Sequence, residues 1–144
     1  MKKFSAGKTA AVLAVAGGAV LASIAPVMAD VSAQSPSQSL VRVEDPGKLK
    51  AWGAAVELDV TYSCPVSQSQ AYVYVSLTQN RPLIGLATGT GSKNVTCTGG
   101  FSTVKISVTA QNRGFGWGVP AFAKADLQAY PNTASDERTI SLQW

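Results

Sequence analysis

The stretch Val56-Glu57-Leu58-Asp59-Val60-Thr61-Tyr62-Ser63-Cys64 decides how this chain is read. Val56, Leu58, Val60, Tyr62 and Cys64 take every second position, and Glu57, Asp59, Thr61 and Ser63 take the others. Successive side chains of a strand point to opposite faces, so strict period two makes one apolar face and one wet face. Wound as a helix, the same residues would scatter around the circumference. Pro65 ends the strand, having no backbone donor to offer a ladder.

The same reading extends in both directions. Upstream, residues 40–44 form a first short strand, and Asp45-Pro46-Gly47 is a turn, since Pro presets φ and Gly tolerates φ > 0. Downstream, residues 71–79 are dense in strand formers, with Val73, Val75 and Leu77 inward and Tyr72 and Tyr74 outward. Residues 83–90 and 93–98 read as two short strands separated by a turn at 89–92. Residues 103–110 place Val104, Ile106, Val108 and Ala110 inward. Residues 121–129 repeat the pattern with Ala121, Ala123, Ala125, Leu127 and Ala129. Residues 131–136 read as a loop, and the last segment sets Ile140, Leu142 and Trp144 on one face. No window has helical periodicity. Seven or eight short strands between turn signals predict an all-β protein of two packed antiparallel sheets.

The N-terminus follows a different logic. Lys2, Lys3 and Lys8 precede an apolar run over residues 10–25, and Val27-Met28-Ala29 places small or modest residues before Asp30. This is the three-part layout of a secretory signal peptide. The run is shorter than the roughly 20 residues a membrane-spanning helix needs. The expected organisation is therefore a signal peptide over 1–29, a flexible Ser/Gln-rich leader over 30–39 and a β-sandwich domain over 40–144. The protein is expected to be secreted, with no membrane partner after signal cleavage. Of twelve basic residues nine remain after residue 29, against eight acids. They are scattered rather than clustered, which argues against nucleic acid.

Cys64 and Cys97 are the two cysteines. An even pair in an exported chain reads as a disulfide, because the outside compartment is oxidising. Val95 and Cys97 share a face, as do Val60, Tyr62 and Cys64, so both sulfurs point inward.

These segments resemble a family of small secreted actinobacterial proteins of unknown function with an immunoglobulin-like look. The resemblance rests on residues 56–64, on Val73-Tyr74-Val75-Ser76-Leu77-Thr78-Gln79, on Cys97-Thr98-Gly99 and on Val104-Lys105-Ile106-Ser107-Val108-Thr109-Ala110. It implies an antiparallel two-sheet immunoglobulin-like sandwich and no particular activity. The chain departs from antibody-type domains, where a core Trp follows the first cysteine; here Trp52 precedes it.

The chain contains no His, which excludes a Ser-His-Asp arrangement, and without His or spare Cys a zinc site lacks ligands. Glu57 and Asp59 lie on the same side of one strand but read as the wet face of that strand. No catalytic residue, metal ligand or cofactor is expected, and the chain is not expected to be an enzyme. The suggestive stretch is Arg113-Gly114-Phe115-Gly116-Trp117-Gly118-Val119-Pro120, where glycines alternate with aromatic rings. Phe115 and Trp117 are candidate binding residues there, with Tyr72 and Tyr74 (and Phe122 beside them) as a second aromatic row. Both rings of the loop could equally plug one end of the sandwich. The expected function is a non-enzymatic extracellular binding module for a protein, glycan or small molecule. A structural envelope protein and an apolar small-molecule carrier are the alternatives.

Overall fold

The alternating segments fold as strands. A computed structural model describes residues 38–68 and 70–144. The expected signal peptide and residues 30–37 of the leader lie outside the described residues. The strands are β1 (Leu40–Val43), β2 (Gly47–Lys50), β3 (Ala55–Ser63), β4 (Gln70–Arg81), β5 (Gly85–Thr96), β6 (Phe101–Ala110), β7 (Ala121–Ala129), β8 (Asn132–Ile140) and β9 (Leu142–Gln143). The helical element among the described residues is one 3-10 turn, Ala51–Gly53. Among the described residues the nine strands run from Leu40 to Gln143.

The strands form one hydrogen-bonded path, β8-β7-β4-β5-β6-β3-β2-β9, with β1 beside β2 on the same edge of β3. Every pairing is antiparallel except β2 with β9. The two ends of the path belong to one stretch of chain, because β8 runs through Ser141 directly into β9. The sheet therefore bends back on itself into a nearly closed barrel. Polar side chains complete the seam. Asp136 accepts the Val43 N–H at 2.8 Å, and Asp45 accepts the backbone N–H and the hydroxyl of Ser141 at 2.8 and 2.7 Å. Arg138 donates to both carboxylate oxygens of Asp136, which holds its guanidinium pKa above the ordinary value.

Two expectations about strands are corrected. The expected turn at 89–92 is the middle of the single long strand β5. Gly89 and Gly91 stand where β5 crosses closely over β6. A Cβ on either would come within 2.5 Å of a β6 carbonyl oxygen, Thr109 or Ser107. Glycine in a strand marks such an approach as readily as it marks a turn. The expected loop at 131–136 is the start of β8. That strand carries no apolar alternation, because its half-buried side is Ala134, Asp136 and Arg138, the polar lining of the seam.

The core matches the alternation. Val56, Leu58, Val60, Val73, Val75, Leu77, Ile106, Val108 and Leu127 are buried. Each such side chain contributes about 1.5–3 kcal/mol relative to exposure. Ala121, Ala123, Ala125 and Ala129 are buried beside them. Trp144 does not join Ile140 and Leu142 inside; its ring is exposed.

The joint between β5 and β6 holds by only two residue pairs, Gly89 with Ala110 and Thr90 with Thr109. At the opposite end the Cys64–Cys97 disulfide ties the end of β3 to the end of β5, with Cα atoms 5.1 Å apart. The Tyr62 hydroxyl donates to the Thr96 carbonyl next to it. Hydrogen bonds close one end of this joint and a covalent bond closes the other.

Candidate functional site

Four chain segments meet at the end of the barrel away from the disulfide: the 3-10 turn at 51–53, the β4–β5 hairpin at 82–84, the β6–β7 loop at 111–120 and the C-terminal residues 141–144. The β6–β7 loop carries Phe115 and Trp117, and the fold holds it from three sides. The Phe115 N–H donates to the Gly53 carbonyl at 2.8 Å. Arg81 donates to the Gly114 carbonyl at 3.1 Å. Gln79, buried at the end of β4, donates to the carbonyls of Gly116 and Val119 and accepts the Gly116 N–H. Asn112 adds a fourth tie, accepting the Thr88 N–H and donating to the Leu86 carbonyl. This glycine-rich loop is held because Gln79 and Arg81 bond the carbonyls of Gly114, Gly116 and Val119 and the N–H of Gly116.

The two rings of the loop part company. Phe115 is 3% exposed, and its ring fills the notch left by the missing side chain of Gly89. It is a plug of the barrel end and presents no contact surface. Trp117 is 69% exposed and borders a groove of about 400 Å³ lined by Val119, Pro120, Ile140 and Leu142 among others. The tyrosines lie elsewhere. Tyr72 is at the disulfide end of β4, exposed beside Asn94 and Gln128, and Tyr74 is half-buried. From Tyr72 to Arg81 the strand rises roughly 30 Å, so the structure separates the two candidate aromatic sites. Phe122 is exposed on the outer face of β7, paired with Thr78.

The sequence reading missed most of what surrounds Trp117. Trp52 is 93% exposed and meets Trp144 edge to face, ring centroids 6.1 Å apart. Leu83 is fully exposed at the tip of the β4–β5 hairpin, followed by exposed Ile84 and Leu86. All three tryptophans of the chain thus sit at one pole with their rings in solvent. Among the described residues, the non-glycine residues with φ > 0 are Ala51, Trp52 and Leu83, at 48°, 58° and 67°, and they too are at this pole. The left-handed region costs a residue with a Cβ roughly 1–2 kcal/mol.

The charges of the pole are mostly of one sign, the acid that borders it being Asp45, which is bonded to Ser141. No Asp or Glu occurs in residues 46–56, 60–125 or 138–144. Lys50 and Arg113 are exposed there and Arg81 is half-buried. Among the described residues none of the three makes a salt bridge, whereas Arg42, Lys105, Lys124 and Arg138 each face an acid. Glu57 and Asp59, the carboxylate pair of β3, are both occupied by Lys105, at 3.3 and 2.9 Å. Among the described residues no three acidic, His or Cys side chains cluster closely enough to hold a metal ion.

Fold and site together define a disulfide-bonded all-β frame that displays an apolar, cationic loop pole. No family model and no curated protein sequence matches the chain. Among solved structures, the sporulation control protein Spo0M from Bacillus subtilis is similar at 13% identity, with a TM-score of 0.38. The match covers 75% of this chain and 50% of that one, so this chain spans about half of that protein's length.

Proposed function

We propose that the chain is a secreted, non-enzymatic binding module whose contact surface is the pole bearing Trp52, Trp117 and Trp144. The observation that carries this reading is that every tryptophan of the chain is exposed at one end of the barrel. Aromatic rings left in water cost free energy that a partner recovers, and Trp is enriched at the centres of contact surfaces. The pinned loop supports the same reading. Gln79 and Arg81 hold Trp117 in place before any partner arrives, which reduces the ordering cost of binding. The left-handed Trp52 and Leu83 add to it, since strain of this kind gathers where side chains must be displayed.

We read the frame as an immunoglobulin-like sandwich drawn nearly into a barrel. The two-pair joint between β5 and β6 supports this, for it nearly divides the path into β8-β7-β4-β5 and β6-β3-β2-β9. Secretion is supported by the signal-like N-terminus and by the disulfide, which an oxidising compartment maintains.

The test is retention on isolated cell envelope. The Trp52→Ser/Trp117→Ser double variant should lose at least about tenfold in bound fraction while unfolding at the wild-type midpoint. Unchanged retention in that variant overturns the reading.

A further inference from the structure

The shape and charge of the tryptophan pole narrow the kind of partner it fits. Leu83 and Trp52 are almost wholly exposed, and Trp52 touches its neighbours only along one edge, where it meets Trp144. Leu83 projects from the hairpin tip, and Trp52 rises at the rim of a shallow, open depression that it shares with Asn112 and Arg113. Leu83 and Trp52 rise from two different segments, with Ile84, Leu86, Trp117 and Trp144 exposed on the same pole. Beside these points stand Lys50 and Arg113, exposed, and Arg81, partly so, none of them in a salt bridge among the described residues, while Asp45 at the border is bonded to Ser141.

Projecting Leu and Ile, Trp rings and unpaired Lys and Arg together suit one surface chemistry. Aliphatic tips enter the acyl boundary, and tryptophan settles at the headgroup level with its ring apolar and its N–H wet. Lys and Arg stems lie along the apolar layer while their heads meet phosphate. A flat acidic protein or polysaccharide would match the charges but would leave Leu83 in water.

We propose that this pole docks peripherally on an anionic lipid surface, with Leu83, Ile84 and Trp52 entering the interface and Lys50 and Arg113 contacting lipid phosphates. The inference rests on the binding-module reading and names its partner. It departs from the sequence expectation that the mature chain has no membrane partner. That expectation excluded a spanning or anchoring segment, and this contact requires neither.

The experiment uses the protein as recovered, oxidised, from the exported fraction of expressing cells, with vesicles of equal phosphatidylglycerol and phosphatidylcholine, vesicles of phosphatidylcholine alone, and a soluble acidic polysaccharide. The protein should cosediment with the anionic vesicles, with a blue shift of tryptophan emission and quenching by brominated acyl chains. Leu83→Asp should lower vesicle binding about tenfold or more. Arg113→Gln and raised salt should weaken it further. Absence of binding to anionic vesicles overturns the proposal, as does binding that Leu83→Asp leaves unchanged. Binding to the polysaccharide with none to vesicles also overturns it, while loss of that binding in Trp52→Ser/Trp117→Ser keeps the binding-module reading. Envelope retention insensitive to the tryptophan substitutions removes both.

Discussion

The side-chain amide of Gln79 pairs with the peptide group of Gly116 as a neighbouring strand would. Its oxygen accepts the Gly116 N–H at 2.7 Å and its nitrogen donates to the Gly116 carbonyl at 2.8 Å. Gln79 is completely buried, on the inward face of β4 that otherwise holds Ala71, Val73, Val75 and Leu77. A primary amide is buried without loss when each of its polar atoms is bonded. It carries the order of the core into the loop that presents Trp117.

Gln79→Met keeps the volume and removes both functions of the amide. The N–H and carbonyl of Gly116 and the carbonyl of Val119 would lose this partner. The expected cost is at least about 2 kcal/mol, since an unsatisfied buried polar group costs more than an average hydrogen bond yields. Urea unfolding measures it, and amide exchange at Gly116 should quicken well before exchange in β3.

Reduction of Cys64–Cys97 should cost about 3–4 kcal/mol, the loop-closure entropy of a crosslink spanning 33 positions. The Cys64→Ala/Cys97→Ala variant, followed by urea unfolding, reads it directly. The loss should be largest near the splayed ends of β3 and β5, where no ladder joins β5 to β6.

Gly53 and Gly118 both have positive φ, at 88° and 79°, yet their alanine variants should differ. A Cβ at Gly53 would lie 2.1 Å from the Phe115 carbonyl oxygen, whereas at Gly118 nothing lies within 4 Å. Gly118→Ala should cost about 1 kcal/mol of backbone strain alone. Gly53→Ala should cost several times that, because the Gly53–Phe115 hydrogen bond must open. Thermal unfolding of the two variants side by side decides it.

Lys105 predicts a change at alkaline pH. Hydrogen bonds to Asp59 first and to Glu57 second hold its ammonium above the ordinary lysine value. A raised folded value means the contribution is complete below the unfolded lysine value of about 10.4. It is lost as the pH rises through the folded value. The gap in urea midpoint between wild type and Lys105→Met should stay constant from neutral pH to about pH 9, and then close above the lysine range. Because the group is exposed the gap should be small, and salt should narrow it.

The strands of the core were legible because burial on one face imposes a period on the residues themselves. Val56 to Cys64 in β3 and Ala121 to Ala129 in β7 show it, and every position expected inward in those two runs is buried. The disulfide was legible for a chemical reason, an even cysteine pair in a chain with an export-type start. Strand β8 was not, since its half-buried side is largely polar and Asp136 on it finds its backbone partner, Val43, 93 positions away. The Gly89-Thr90-Gly91 crossing was equally hidden, because a glycine shows that something is close without showing what.

The sequence by itself determined that the chain is all-β, which faces are inward in β3 and β7, and that Cys64 and Cys97 pair. These follow from local alternation and from solvent chemistry, which act residue by residue. Only the tertiary structure decided that the strands close almost into a barrel and that Phe115 is a plug while Trp117 is displayed. It alone brought Trp52, Leu83 and Trp144 to that same pole. Those outcomes depend on which strand ends coincide in space, and contacts between distant segments leave no period in the residues that make them.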